Sequence, residues 1–528
     1  MNKKWKTFEH NGLAFPPLYE HKNLSISINN KILHLTSDQE EMAYAWVKKR
    51  ETPYVQDPVF IKNFLFDFLS CLNITHDLEN VNDIQIQNFD FSEIIKFQEK
   101  ENELKNNLEF KKQIRDERKK NRELLKTKYG YAKINGQVIE VANYLVEPPG
   151  IFMGRGEHPF RGKWKPKINK SEIILNLDKS SSIPEGYSKN QVVHDSNSMW
   201  VAKWVEKLTN KDKYVWLHDS ADIRQQRDKN KFDYSNKLES QIQTIRSHIL
   251  KNMQSNDINK KAIATTCFLI DRLAMRTGDE KNADEADTVG ASTLRVEHVT
   301  IQNNCIKFDF LGKDSVRWQK TLNLDKSELF IKDIFQNLVK NKQSSDPIFE
   351  SITSIKVNKF LSNIFPGLSG KVFRTYHASV EVKKFLISNT KKFNIEYEKI
   401  HLAKMANLHA AITCNHKKTP SKSWDQSFAK KQDRLDKLLN TTPKTEKSKA
   451  KLIERIKKQK LIIVFTKNSK EYNLSTSLKN YVDPRIYHSW CQHVDLDITK
   501  LYSKTLQRKI NWVDNSKIKW KTLIKKTE

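Results

Sequence analysis

The residues with the clearest chemical potential lie in NLSTSLKNYVDPRIYHSWC, at 473–491. Tyr481 stands just before Asp483-Pro484. Aspartate as an N-cap with proline at the first helical position is a strong helix start. Tyr481 is therefore expected near a helix N-terminus, where unpaired N–H groups and the helix dipole favour a phosphate. A phenolic oxygen held there would stand beside a bound phosphate. The reference pKa of tyrosine is about 10, so the group is mostly protonated at neutral pH. The neighbouring sequence supplies no dedicated base. Taken alone, a tyrosine in such a place is most often an ordinary packing or hydrogen-bonding residue.

Other polar residues sit on elements able to aim them. Arg276, in LAMRTGDEK, closes an apolar helical run of Ile263, Cys267, Ile270 and Leu273, with Gly278 as a candidate C-cap. On its own it reads equally as a surface arginine complementing a helix dipole. Arg374, in KVFRTYHAS, follows Ser369-Gly370 and reads alone as a first-turn arginine on an amphipathic helix. In CIKFDFLGKDSVRWQKTL (305–322), Ile306, Phe308 and Phe310 alternate, the chain turns at Gly312, and it returns through Val316 and Trp318. That is a hairpin with Lys313 near its turn. On its own, a lysine in such a place reads as a solvent-exposed turn residue. His416 follows the helical stretch AKMANLHAAITC.

The elements that must carry these residues are readable in outline. LSISINNKILHL (24–35) alternates around Asn29-Asn30 and reads as a β-hairpin. Helical patterns follow near 38–50 and 57–72, and a charged helical run spans 92–127, stopping at Tyr129-Gly130. That run is a cationic strut or simply a solvated helix. Between 143 and 167, Pro148-Pro149-Gly150 breaks regular structure, and Gly154, Gly156 and Gly162 let backbone approach a ligand. Basic residues there interleave with Phe152, Phe160 and Trp164, as in a phosphate-contacting loop or a structural connector. Helical patterns dominate 233–420 apart from the 305–322 hairpin. In 421–460, Phe428, Leu435, Leu438 and Leu439 keep helical spacing, Thr441-Thr442-Pro443 breaks it, and Leu452, Ile453 and Ile456 resume it. Two antiparallel helices or a flexible basic linker both fit. Residues 471–528 are compact again, with Trp490, Trp512 and Trp520. There is no internal repeat.

Composition narrows the function classes. A chain of 528 residues points to two to four domains. Lys+Arg is 93 against Asp+Glu 63, a net charge of +30, which concentrates polyanions at the surface. DNA or RNA is the favoured partner, through release of counterions from phosphates. A general compositional bias toward Lys, Asn and Ile is the competing explanation. Cys71, Cys267, Cys305, Cys414 and Cys491 form no CxxC pair, which fits a reducing compartment and argues against a zinc ribbon. The N-terminal MNKKWKTFEHNG has no apolar signal region, and LIIVF (461–465) is far too short to cross a bilayer. The expectation is a soluble intracellular protein. No GxxxxGK[ST] loop and no convincing metal-ligand cluster is present, so neither ATP, a metal nor another cofactor is expected.

The segment around Tyr481 resembles the active-site region of eukaryotic (nuclear) type IB DNA topoisomerases. That family carries Ser-Lys-x-x-Tyr; here the order is Ser477-Leu478-Lys479-Asn480-Tyr481, with the lysine and its neighbour exchanged. The following VDPRI and WC also match. The resemblance extends over nearly the whole chain through WKTFEHNGLAFPPLYE, EPPGIFMGRGEHP (with Met153 where an arginine is usual), LAMRTGDEKNADEADTVGASTLRVEH, FDFLGKDSVRW, GKVFRTYHAS and AITCNHKK, all in the family's order. The family's long charged N-terminal extension is missing, and the 421–460 stretch looks short.

The resemblance implies roles. Tyr481 is the nucleophile, Arg276 and Arg374 clamp the phosphate, Lys313 is the general acid, and His416 donates to a non-bridging oxygen. His377 is a decoy, since the family usually has another residue there. A pentacoordinate phosphorane carries extra negative charge that such cations can stabilise without a metal, and arginine suits this with its permanent charge and paired donors. Matching positions imply DNA contacts at Arg155 beside the cleavage site, at Lys213, Tyr214, Lys231, Asp279, Glu280 and Lys281, and at Thr288, Asn358, Lys371 and Asn480. Most are phosphate contacts, implying weak sequence specificity.

The expected architecture is α+β and multidomain. Residues 1–220 form an N-terminal cap of strands and helices, and 221–418 a mostly helical catalytic core of the topoisomerase IB and tyrosine recombinase type. Residues 419–468 form a basic helical linker, and 469–528 a small helical domain carrying the tyrosine. The lobes are expected to clamp duplex DNA, and the chain to act as a monomer that relaxes positive and negative supercoils without ATP. The family implies the nucleus; a viral gene would imply a factory or virion. A tyrosine recombinase shares the Tyr, Arg, Lys and His chemistry, but the blocks at 5–20 and 143–162 argue against it. A non-enzymatic DNA-binding or packaging protein is opposed by the full set of five catalytic residues.

Overall fold

The computed structural model describes residues 3–74, 85–281, 285–513 and 519–521. The chain divides into two compact units, Met1–Arg224 with Asn282–Ala286, and Gln225–Lys281 with Asp287–Glu528.

The first unit mixes short strands and helices. β1 (Phe8–His10), β5 (Tyr131–Ile134) and β6 (Gln137–Glu140) form one sheet, and β3 (Lys31–His34), β2 (Ser25–Ile28) and β4 (Phe89–Asp90) another. β7 (Gly150–Ile151) pairs with β8 (Trp164–Lys165), and a fourth sheet runs β10 (Val192–Val193), β9 (Ile174–Asn176), β11 (Trp200–Glu206), β12 (Lys211–Trp216). The β2–β3 hairpin is the expected one. Asn29 and Asn30 take φ of 47° and 67°, the paired left-handed conformation that a two-residue turn needs. α1 (Ser37–Val47) and α2 (Pro58–Cys71) pack on this hairpin through Trp46, Phe60, Phe64 and Phe68. Met153 packs against the same cluster, so its loop contributes an apolar anchor.

The charged run that reads as one helix over 92–127 is two, α3 (Ser92–Asn106) and α4 (Leu108–Tyr129). The break is local. Asn107 leaves helical geometry at ψ 128°, and its side chain caps α4 by accepting from the Glu109 and Phe110 N–H groups. An asparagine competes well for such donors, and charged neighbours offer no apolar face to hold one straight helix.

The second unit is mainly helical. Its elements are α5 (Asp222–Met253), α6 (Ile258–Arg272), the β13 (Val299–Ile301)–β14 (Cys305–Gly312)–β15 (Val316–Asn323) sheet, α7 (Leu329–Val339), α8 (Ser354–Ile364), α9 (Gly370–Asn389), α10 (Glu396–Thr413), α11 (Trp424–Leu439), α12 (Glu446–Asn468), α13 (Leu474–Asn480), α14 (Pro484–His493) and α15 (Lys504–Lys509). The β14–β15 hairpin matches the sequence reading; the third strand, β13, was not foreseen. In 421–460 the helical alternative is the one adopted. α11 and α12 pack together, and Gln459, buried in α12, donates to the Lys431 carbonyl.

Two apolar cores meet in this unit along α9. Phe373, Tyr376 and Val380 face a core made with α5, α6, α8 and the hairpin. Ala378, Val382 and Leu386 face a second core made with α10 and α14. Trp490 lies fully buried in the second, with its indole N–H on Thr390 Oγ1 at 2.9 Å. Trp520 is buried in the same core, while residues 514–518 and 522–528 of the expected C-terminal domain lie outside the described residues. Among the described residues no helix is long and apolar enough to cross a membrane.

Emptying the largest buried side chain of the second core should be costly. Trp490→Ala is expected to lower unfolding stability by ~3–5 kcal/mol, the usual range for aromatic-to-alanine changes in a packed core. Urea unfolding of wild type and variant checks it, and a loss under ~1 kcal/mol would mean that Trp490 does not hold this core.

Candidate active site

The geometry starts at two helix ends. α6 finishes at Arg272, and Ala274 turns the chain with φ 52°, a left-handed conformation usually left to glycine. Gly278, the candidate cap, lies four residues further on. It packs against Gly290 instead: a Cβ there would come within 2.8 Å of the Gly290 Cα, and its own φ is 97°. The Ala291 and Ser292 N–H groups bond the Arg276 and Thr277 carbonyls, each at 2.8 Å. Arg276 is thus carried on a braced extended segment just beyond α6.

α10 ends in a complete left-handed cap. Asn415 has φ 50°, its N–H bonds the Ile412 carbonyl at 3.0 Å, and the His416 N–H bonds the Ala411 carbonyl at 2.8 Å. This fixes His416 immediately past the helix. Arg374, in α9, joins the two ends. It is only 3% exposed, and its Nη1 donates to the Ala274 carbonyl while Nη2 donates to the Cys414 carbonyl at 2.7 Å. Buried guanidinium groups are costly unless paired, and these helix-end carbonyls carry the partial negative charge that compensates.

Tyr481 faces this group. It is 8% exposed and lies at the C-terminal end of α13, between that helix and α14. As Asp483-Pro484 predicts, it stands just before the N-terminus of α14, whose N-cap is Asp483. The Asp483 carboxylate accepts from the Arg485 N–H, so the favourable anion position of α14 is already filled. The positive field on the phenol comes from arginines instead. Arg276 Nη1 lies 3.5 Å from the phenolic oxygen, and the Arg374 guanidinium carbon lies 5.3 Å from the ring centre. The His416 ring sits 4.9 Å from the Tyr481 ring. Burial pushes the phenol's pKa up, and Arg276 and Arg374 pull it back to below its ordinary value.

His416 is neutral in this setting. Burial first, then Arg374 and Arg276, bring its pKa down to about 3. Arg374 Nη2 lies 3.2 Å from His416 Nε2, and an arginine can only donate, so Nε2 accepts and the ring proton sits on Nδ1. Among the described residues, His416 Nδ1 and Arg374 Nε are both buried without a hydrogen-bond partner. Two such donors beside a buried phenol suit an anionic oxygen.

A cavity of about 130 Å³ opens here, lined by Arg276, Lys313, Arg374 and His416 among others. Lys313 reaches it from the β14–β15 turn, where Asp314 and Ser315 have φ of 66° and 55°. The five predicted catalytic residues therefore converge. Lys479 does not line this cavity: it is exposed, and Leu478 packs against the second core. The exchanged order thus puts an apolar residue on the inward face of α13. His377 is engaged elsewhere, 2.9 Å from Asp271, which also pairs with Arg246.

The nucleophile's backbone is held on both sides. Ser379 Oγ donates to the Tyr481 carbonyl at 3.2 Å and accepts from the Asp483 N–H at 3.0 Å. Ser477 Oγ donates to Asn407 Oδ1, tying α13 to α10. Lys231 Nζ donates to the Asn480 carbonyl and to Asp228, each at 3.0 Å, and burial lowers its pKa.

Of the remaining predicted contacts, Asp279, Glu280, Lys281 and Thr288 line one cavity in the second unit. Asp279 accepts from the Ser354 N–H, and Asn358 from the Gly370 N–H at the start of α9, so both also brace local structure. Lys371 is exposed on the first turn of α9. In the first unit, Arg155 is exposed in the loop between β7 and β8, and Lys213 and Tyr214 lie on β12, with the Tyr214 hydroxyl on Asp212 at 2.8 Å.

Sequence reading missed Lys320. It lies on the inward face of β15 between Trp318 and Leu322, and its ammonium donates to the Leu273 and Thr413 carbonyls. The strand's alternation, which placed Trp318 inward, was the available signal.

Comparison with known proteins gives the same chemistry a family. Residues 3–217 match the model described as "Eukaryotic DNA topoisomerase I, DNA binding fragment", 220–449 "Eukaryotic DNA topoisomerase I, catalytic core", and 453–522 "C-terminal topoisomerase domain". The chain is 35% identical over 548 residues to DNA topoisomerase 1 beta of Arabidopsis thaliana, covering 97% of this chain and 58% of that protein. It is 31% identical over 552 residues to DNA topoisomerase 1 of Homo sapiens, covering 96% and 70%. DNA topoisomerase 1 of Drosophila melanogaster is 32% identical over 534 residues, covering 96% and 54%. The chain belongs to the eukaryotic DNA topoisomerase I family. It spans 58% of the length of the Arabidopsis relatives.

The neutral histidine sets a pH test. Its folded pKa lies below the ordinary ~6.5, so its contribution to stability is fully present above pH ~6.5 and is lost as pH falls toward 3. Between pH 7 and 4, wild type should lose ~2–3 kcal/mol more stability than His416→Gln. Parallel loss in both proteins would show that His416 titrates normally.

Proposed function

We propose that this chain is a type IB DNA topoisomerase whose nucleophile is Tyr481. The observation that supports this most is the Tyr481 phenol held beside Arg276 and under Arg374, with His416 against its ring. The phenolic oxygen attacks a backbone phosphorus of one DNA strand, and its proton passes to water. The bond from phosphorus to the 5′ oxygen breaks, and Lys313 protonates that oxygen. A 3′-phosphotyrosyl end and a free 5′-hydroxyl result. Arg276, Arg374 and the His416 N–H take the negative charge on the non-bridging oxygens. The covalent bond keeps the phosphodiester's energy, so the 5′-hydroxyl attacks back without ATP. Between the two steps the free strand rotates, draining supercoils of either sign.

Duplex DNA is the proposed substrate. Arg155, Lys213 and Tyr214 contact it from the first unit, and Lys231, Lys281, Thr288, Asn358, Lys371 and Asn480 from the second, with Asp279 and Glu280 beside them. Contacts made mainly to phosphate give register without sequence choice. The proposed division of labour is a DNA-binding cap at 1–220, a catalytic core at 221–418, a basic helical linker at 419–468 and the tyrosine-bearing domain at 469–528. The chain acts as a monomer, and the nucleus is the proposed site of action.

The decisive assay is plasmid relaxation without ATP or Mg²⁺, with EDTA present. Wild type should relax positive and negative supercoils, and Tyr481→Phe should bind DNA but relax neither. An inactive wild type overturns the reading, and an active Tyr481→Phe overturns the nucleophile.

The general acid has its own test. Lys313→Ala should cleave ~10²–10⁴-fold more slowly. A substrate with sulfur in place of the bridging 5′ oxygen should restore cleavage, because a thiolate leaves without a proton. No rescue by sulfur would remove Lys313 from that role.

A further inference from the structure

Lys320 is an inward-facing cation on a hairpin whose neighbouring inward residues, Trp318 and Leu322, are buried. A methionine of similar length would fill that space without the cost of desolvating an ammonium. The contacts show what the charge does. Nζ donates to the Leu273 carbonyl at 3.0 Å, at the end of α6, and to the Thr413 carbonyl at 2.6 Å, at the end of α10. Arg374 takes the next carbonyl on each chain, Ala274 and Cys414. Two cations thus bind four consecutive-pair carbonyls across two helix C-termini. Two and three residues past these carbonyls stand the groups that meet the phenol, Arg276 on one side and His416 on the other. The Lys320 ammonium also lies 5.6 Å from the Trp318 ring centre. Burial brings its pKa down to about 8, Cys414 draws it up and Arg374 presses it down.

We propose that Lys320 is a positioning residue for strand cleavage: by bridging the Leu273 and Thr413 carbonyls it locks the ends of α6 and α10 together and so fixes Arg276 and His416 against Tyr481. The proposal rests on the topoisomerase reading for its catalytic consequence. Its structural half stands on the two hydrogen bonds alone. Arg374 does not hold these carbonyls, because its Nη1 and Nη2 are directed to the adjacent ones, Ala274 and Cys414. A shift of either helix end by one ångström would move a phosphate-contacting group out of reach of a reacting oxygen.

The test compares wild type, Lys320→Met and Lys320→Arg. Covalent adduct formation is followed in single turnover on a nicked duplex that cannot religate. DNA affinity is measured by anisotropy with Tyr481→Phe added to each protein, and thermal unfolding confirms that each is folded. Selective ¹³C labelling of histidine, with His416→Gln for assignment, reports the His416 ring without requiring activity. Lys320→Met should form adduct ~10–100-fold more slowly at a Kd within ~2-fold of wild type. Its His416 resonance should move, and Lys320→Arg should recover part of both. Wild-type adduct rates in Lys320→Met overturn the proposal, as do equal losses of rate and affinity, or an unmoved His416 resonance. A wild type that forms no adduct counts against strand cleavage itself, and the His416 resonance then decides alone whether Lys320 holds the site.

Discussion

The arrangement depends on a buried cation bound to the C-terminal ends of two helices. Arg374 has few ways to be comfortable where it sits, and the Ala274 and Cys414 carbonyls supply them. Helix C-termini carry partial negative charge and orphan carbonyls, so α6 and α10 gain from a guanidinium as much as it gains from them. The backbone must turn sharply past each carbonyl to leave it accessible, which is why Ala274 and Asn415 both adopt left-handed conformations. Those turns then throw Arg276 and His416 toward one point. Because α9 is the wall between two apolar cores, Arg374 is held rigidly by packing on both sides.

The electrostatics of the site follow from that choice. A second positive charge on His416 is disfavoured by burial and by its two arginine neighbours, so the imidazole is neutral with its proton on Nδ1. The same arginines offset the cost of a buried phenolate, and Tyr481 ends below its ordinary pKa despite burial. No carboxylate base is needed for this. The nearest one in sequence, Asp483, is committed to capping α14 and to Arg485.

Much of this was legible in the sequence, and the failures have physical causes. The hairpins at 24–35 and 305–322 were readable because period-two alternation flanked residues that tolerate positive φ. Arg276, Lys313, Arg374, His416 and Tyr481 were identified by family resemblance; their residue types and spacing alone left ordinary structural readings open. Gly278 was a candidate cap because glycine is the usual left-handed residue, whereas Ala274 takes that strain and Gly278 answers a close approach by Gly290. The single helix over 92–127 failed at Asn107, whose capping side chain outweighed a continuous charge pattern. The Asp-Pro signal correctly set Tyr481 just before α14, but it does not reveal that the Asp483 carboxylate itself takes the anion position there. Lys320 escaped notice because a lysine on an apolar strand face is normally discounted as an edge or surface residue.

The hydrogen bonds that flank the nucleophile bear on motion as well as on aim. The carbonyls of Asn480 and Tyr481 and the N–H of Asp483 are each tied to α5 or α9, on both sides of the one side chain that would become joined to DNA. In the proposed reaction the protein-linked end of the broken strand is therefore the stator. All swivelling falls to the other end as rotor, and friction between that turning duplex and its surroundings, rather than any hinge at the tyrosine, governs how many turns are released before the break closes.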